Sequence, residues 1–147
     1  MKCPVCRESS TEVYNTRITR FGTQIWRRRR CQRCSESFTT YEQADLGFLR
    51  VKSSEGRTTR YNRPQLFSEI YAAFLGLTTK PETIDAVTDT VESKILDLKQ
   101  DIIEANQIAD IVLTTLKHLN TAAFLRYLAS HAELNSKTEL RRQLKKY

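Results

Sequence analysis

A chain of 147 residues, 39% apolar and 28% charged, has the composition of a soluble globular protein and the length of one ordinary domain or two small ones. That balance excludes intrinsic disorder, and no stretch approaches the ~20 consecutive apolar residues that a bilayer-spanning helix needs. The net charge of +7 is split unevenly: residues 1–45 carry +4, residues 46–136 carry −1 and residues 137–147 carry +4, which points to a polyanionic partner at one or both ends, against a merely solubilising surface.

The opening MKCPVC sets a cysteine where a signal peptide needs an apolar core, so the expected location is the cytoplasm, with no membrane partner. In that reducing compartment four cysteines in two close pairs are expected as metal ligands. Cys3 and Cys6 form one Cys-x-x-Cys knuckle, Cys31 and Cys34 a second. Two knuckles complete a tetrahedron for one structural Zn2+, a closed site with no open position for catalysis.

Between the knuckles, residues 12–18 and 23–29 have the β-branched and aromatic content of strands, with Arg20-Phe21-Gly22 as the turn, and residues 37–42 form a third strand. This predicts a zinc ribbon over residues 1–45, a sheet too small to fold without its metal. The second strand runs into Arg27, Arg28, Arg29 and Arg30. Alternation puts Arg27 and Arg29 on one face and Arg28 and Arg30 on the other, so both faces are cationic and face water or an anion. With Arg17 and Arg20 on the hairpin they form a candidate DNA-binding patch, because guanidinium forks suit phosphate oxygens and guanine edges. Tyr14, Phe21 and Trp26 interleave with the arginines as candidates to stack on bases or sugars, and Trp26 is expected rather to pack on the ribbon's own core.

After Gly47 short strands are expected at 48–53 and 57–61, turning at Ser54-Glu55-Gly56. Four amphipathic helices follow. Their expected inward residues are Leu66, Phe67, Ile70, Tyr71 and Phe74; then Ile84, Val87, Val91, Ile95 and Leu98; then Ile108, Ile111, Val112, Leu116 and Leu119; and finally Phe124, Leu125 and Leu128, in a helix running from about Thr121 to Leu134. The fold class is therefore α+β: an antiparallel ribbon, then a mainly helical domain over 46–136. The basic tail at 137–147 reads either as a continuation of the last helix with a nonspecific DNA contact or as a frayed end. No Walker A loop, Gly-x-Gly-x-x-Gly or nucleophile-with-base pattern occurs, so an enzyme is not expected. His118 and His131 have no ligand-spaced neighbours and are expected as surface or packing residues.

MKCPVC, WRRRRCQRCSESFTTYE and VKSSEGRTTRYNRPQL together resemble the NrdR family, bacterial repressors of ribonucleotide reductase genes built from a zinc ribbon and an ATP-cone. The resemblance spans nearly the whole chain. It implies a repressor whose ribbon binds double-stranded operator DNA, placing it at the nucleoid when bound, and whose cone binds ATP or dATP and sets the homo-oligomer. Val51, Lys52, Arg57 and Gln65 stand at the positions implied for nucleotide contact. Thr59 and Arg60 replace the family's acidic residue and proline, Gln65 its second lysine, and Phe124 and His131 two tyrosines. An amide in place of an ammonium exchanges a charge-assisted contact for a weaker dipolar one. The competing reading is a ribbon that docks on an acidic protein, with a cone that only oligomerises.

Overall fold

Alternating β-branched, aromatic and arginine side chains shape the N-terminal part into an antiparallel meander, β1 (Thr11–Thr19), β2 (Gln24–Cys31) and β3 (Ser37–Gln43), in the order β1-β2-β3. This computed structural model describes residues 1–131 and 137–147, the side chains of Phe21 and Glu139 excepted. Gly22, at φ +95°, supplies one of two left-handed residues in the β1–β2 loop, and Thr23 Oγ1 donates to Arg20 O at 2.7 Å. Ile18 lies opposite Ile25, Arg17 opposite Trp26 and Thr16 opposite Arg27, and a bulge interrupts the register between Val13 and Asn15.

Met1–Asp45 and Leu46–Tyr147 are separate compact units. In the second, β4 (Arg50–Lys52) pairs antiparallel with β5 (Thr58–Arg60) and parallel with β6 (Ile102–Glu104). Helices α1 (Arg63–Phe74), α2 (Pro81–Asp97), α3 (Ala105–Leu119), α4 (Thr121–His131) and α5 (Lys137–Lys146) complete it. The helix ends have local causes. Asn62 caps α1 by accepting from the Gln65 N–H at 3.3 Å, prolines open α1 and α2, and Glu104 and Gln107 form a reciprocal capping box on α3. Arg63 then ties α1 to α2, pairing with Glu92 and with Asp89 at 2.8 Å.

The core draws on every helix from α1 to α4 and on the small sheet: Ile70, Val91, Ile103, Val112, Leu116 and Ala123 have no measurable exposure. Burying each large aliphatic contributes roughly 1.5–3 kcal/mol, enough for this unit to hold itself together. Tyr71, Leu119 and Leu125, expected inside, are 45–49% exposed. They sit at the edge of their helical stripes, and Ala73, Leu113 and Tyr127 take the inward positions instead. β6 was not expected, because an Ile-Ile-Glu run is too short to show alternation. Its pairing with β4 supplies it. The expected helix end at Leu134 and the domain limit at 136 lie outside the described residues. The tail is helical over α5, and its end is tied down: Lys146 Nζ lies 2.7 Å from Asp110 Oδ1, and the Tyr147 ring meets Phe124 edge-on at 5.9 Å.

Candidate functional site

The ribbon's two knuckles have the same local geometry. The Cys3 N–H donates to Glu8 O at 2.7 Å and the Arg7 N–H to Cys3 O at 3.0 Å; the Cys31 N–H donates to Glu36 O at 2.9 Å and the Ser35 N–H to Cys31 O at 3.0 Å. Arg7 and Ser35, each four residues after the first cysteine of its pair, adopt φ +63° and +62°. One non-glycine residue in left-handed conformation turns the chain back at the end of each knuckle, a strained conformation that its hydrogen bonds hold. All four Sγ atoms lie within 4.8 Å of one another, with Cys3–Cys34 at 3.7 Å and Cys6–Cys31 at 3.6 Å. A tetrahedral zinc with arms of about 2.3 Å requires edges of about 3.8 Å, so the donor set fits that ion. The backbone N–H groups of Cys34 and Arg33 lower the Cys31 thiol to about 7. At Cys34 the backbone N–H of Glu36 also favours the thiolate, yet burial and the crowding of the other sulfurs push that thiol up to about 12. Four thiolates so close together call for a cation among them.

Beside this centre the arginine strand occupies the middle of the sheet. Arg27 pairs with Glu42 at 3.1 Å, and Arg29 donates from Nε to Thr40 Oγ1 at 3.2 Å. Arg28 donates from Nε to Tyr14 Oη at 3.3 Å and from Nη1 to Thr39 Oγ1 at 3.0 Å, while Arg30 is exposed. Trp26, expected on a core, is only partly buried, with the Arg17 guanidinium 5.5 Å from its ring centre. The reason is that the ribbon has no apolar core to offer: among its described residues only Cys3, Cys31 and Gln24 are buried. Arg20 sits on the turn that joins β1 to β2, at φ +50°.

In the second unit a cleft of about 160 Å³ opens between the β4–β5 hairpin, the first turns of α1 and α3, and the end of α4. Val51, Leu66 and Ile108 give it an apolar wall, and Arg60, Gln65 and Glu69 polar ones. Of the residues implied for nucleotide contact, the structure brings Val51 and Gln65 to this cleft. Lys52 and Arg57 are not on its lining: Lys52 Nζ bonds Glu104 Oε1 at 3.2 Å, at the cap of α3, and Arg57 pairs with Glu55 at 2.7 Å on the hairpin turn. Gln65 donates from Nε2 to Glu69 Oε1 at 3.0 Å.

On the opposite side of the cleft, Tyr127 and Glu69 have no counterpart in the sequence reading, which places His131 as a surface or packing residue in the position of a family tyrosine. The rings of Tyr127 and His131 stack at 3.8 Å, and His131 Nε2 lies 3.6 Å from Glu69 Oε2. That contact draws the His131 pKa up and the Glu69 pKa down. The signal was present as two i,i+4 pairs, Gln65 with Glu69 and Tyr127 with His131. Nothing in one helix says that it will face the other.

Comparison with known proteins accounts for both units. Residues 1–42 match the family model described as the transcriptional repressor NrdR-like N-terminal domain, and residues 49–134 match the ATP cone domain. The chain is 33% identical to the transcriptional repressor NrdR of Acidovorax sp. (strain JS42), over 96% of this chain and 95% of that one. It is 31% identical to that of Cupriavidus metallidurans, over 100% and 95%, and 30% identical to that of Polynucleobacter necessarius subsp. necessarius, over 99% and 100%. Zinc-ribbon sulfurs, an arginine-bearing sheet and a cone-type cleft thus occur together along a full-length match, and the chain belongs to the NrdR family of transcriptional repressors.

Proposed function

We propose that this protein is a DNA-binding repressor of ribonucleotide reductase genes, acting by binding and not by catalysis, and resident in the cytoplasm. Residues 1–45, held by zinc on Cys3, Cys6, Cys31 and Cys34, contact duplex DNA through Arg17, Arg20 and Arg27–Arg30. Residues 46–136 bind ATP or dATP beside Val51 and Gln65, with Lys52 and Arg57 nearby on the hairpin. The observation that carries the reading is the four-sulfur cluster set directly against a strand of four arginines, in a member of a repressor family.

A single ribbon buries too little surface for operator-level affinity, so the working unit is a homo-oligomer that holds two ribbons at a set separation. ATP and dATP alter repression by the difference in their affinities for two assemblies. The α1 N-terminus, capped by the neutral Asn62 on the lining, favours an anion at the cleft, whereas that of α3 already holds the Glu104 carboxylate.

Electrophoretic shift on duplex operator DNA tests the reading. An Arg28→Ala, Arg29→Ala variant is expected to lose affinity and to flatten the salt dependence by about one unit of slope per phosphate contact removed. Unchanged affinity and slope would remove the arginine strand from the DNA contact. Equilibrium dialysis and light scattering with ATP and dATP test the cone: the expected result is saturable binding with a change of assembly size.

A further inference from the structure

The sheet's two faces carry different chemistry. The register sets Arg17, Trp26 and Tyr41 in one row across the three strands, with Arg28 and Thr39 two positions along on the same face. The opposite face carries Ile18, Ile25 and Phe38, and its Arg27 is met by Glu42. Arg28, by contrast, bonds two neutral hydroxyls, which orient its guanidinium without cancelling its charge.

The bulge in β1 adds a third aromatic ring to the Trp26 face. Counting from the Ile18–Ile25 pair, regular pairing would set Tyr14 opposite Arg29, on the aliphatic face. The extra residue between Val13 and Asn15 instead brings Tyr14 to Arg28, where its hydroxyl receives the Nε–H. A bulge breaks a ladder bond and re-aims a side chain. Here it gathers Tyr14, 55% exposed, and Tyr41, 63% exposed, on the face where Arg17 covers part of Trp26. Exposed rings set among guanidiniums on one sheet face have a well-matched ligand: unstacked bases for the rings, their phosphates for the arginines. In an intact duplex each base face is already covered by its neighbour, so the rings find stacking partners only where bases are unpaired.

We propose that the face bearing Tyr14, Arg17, Trp26, Arg28, Arg30 and Tyr41 is a platform for single-stranded DNA, the bases stacking on the rings and the phosphates lying along the arginines. This rests on the reading that the ribbon binds DNA, and adds to its duplex contact a second, single-stranded ligand on one face of the sheet.

Trp26 is the chain's single tryptophan, so its fluorescence reports the platform directly in the full-length, zinc-loaded protein. Titration with a short oligodeoxythymidylate is expected to quench it saturably. Tyr41→Ala should weaken that binding at least about fivefold, the effect of losing one stacked base. Tyr41→Phe, which keeps the ring, and Ile18→Ser, on the opposite face, should leave it within about twofold, with zinc content unchanged in all three. A parallel oligouridylate titration separates a ribose strand from a deoxyribose one: tighter binding of the ribose strand would overturn the assignment to DNA. Absence of quenching by the deoxy strand, no loss in Tyr41→Ala, or an equal loss in Ile18→Ser would overturn the platform. Duplex binding that persists without single-strand binding overturns this inference alone, whereas loss of both overturns the DNA-binding reading itself.

Discussion

The ribbon and the cone solve the same folding problem with different means. In Leu46–Tyr147 twenty buried residues form one continuous hydrophobic cluster, whereas among the described residues of Met1–Asp45 the buried apolar positions are Cys3 and Cys31 alone. The cone is therefore held by area removed from water, and the ribbon by sheet hydrogen bonds and four sulfurs on one ion. The difference also explains their surfaces. A unit that needs no apolar face inward can place arginines and aromatic rings on both sides of its sheet, while the helical unit turns most of its apolar residues inward and gathers Arg60, Gln65 and Glu69 around a cleft.

The strongest way to break this comparison is to remove the metal. Chelation, or Cys31→Ser, is expected to unfold residues 1–45 and leave the cone helical, because zinc binding of about 10–16 kcal/mol is the ribbon's folding free energy. Zinc analysis with amide exchange along the full chain checks it, and persistent protection of β1–β3 amides would contradict it. A smaller effect in the opposite unit sharpens the contrast. Ile70→Ala should cost the cone about 2–5 kcal/mol in denaturant unfolding while zinc content stays constant.

The smallest expected effect is electrostatic. The Glu69 contact raises the His131 pKa above 6.5, so the stability His131 contributes is complete below 6.5 and fades as pH rises through the raised value. Hydrogen bonding to His131 lowers Glu69 below 4.5, so its contribution is complete above 4.5 and fades as pH falls through the lowered value. The α1–α4 pair is thus fully formed between about pH 4.5 and 6.5. The side chains are 34% and 27% exposed, so solvent screening limits the pair to about 0.5–1 kcal/mol. Glu69→Gln should flatten the fall in the cone's stability as pH rises above 6.5, and an unchanged profile would separate the two groups.

Much of this architecture was legible in the chain. The cysteine spacing, the arginine run and the β-branched alternation located the ribbon, and apolar periodicity located α1 to α4 to within a few residues at most described ends. Legibility failed where the answer depended on a distant neighbour. β6 is three residues long and exists by pairing with β4 across the intervening helices α1 and α2. Lys52, implied for nucleotide contact, meets Glu104, which is 52 residues away. Trp26 found a guanidinium because the ribbon contained no core for it.

Sequence by itself determined the elements whose cause is local: two curled knuckles, a meander, capped amphipathic helices and the donor set of the metal, all of which follow from residue type at short spacing. Only the tertiary structure decided which faces meet and what they expose, including the bulge that carries Tyr14 to the Arg28 side and the approach of His131 to Glu69. The physical reason is that periodicity fixes which residues share a face, whereas register and packing, settled by contacts far apart along the chain, decide what that face confronts.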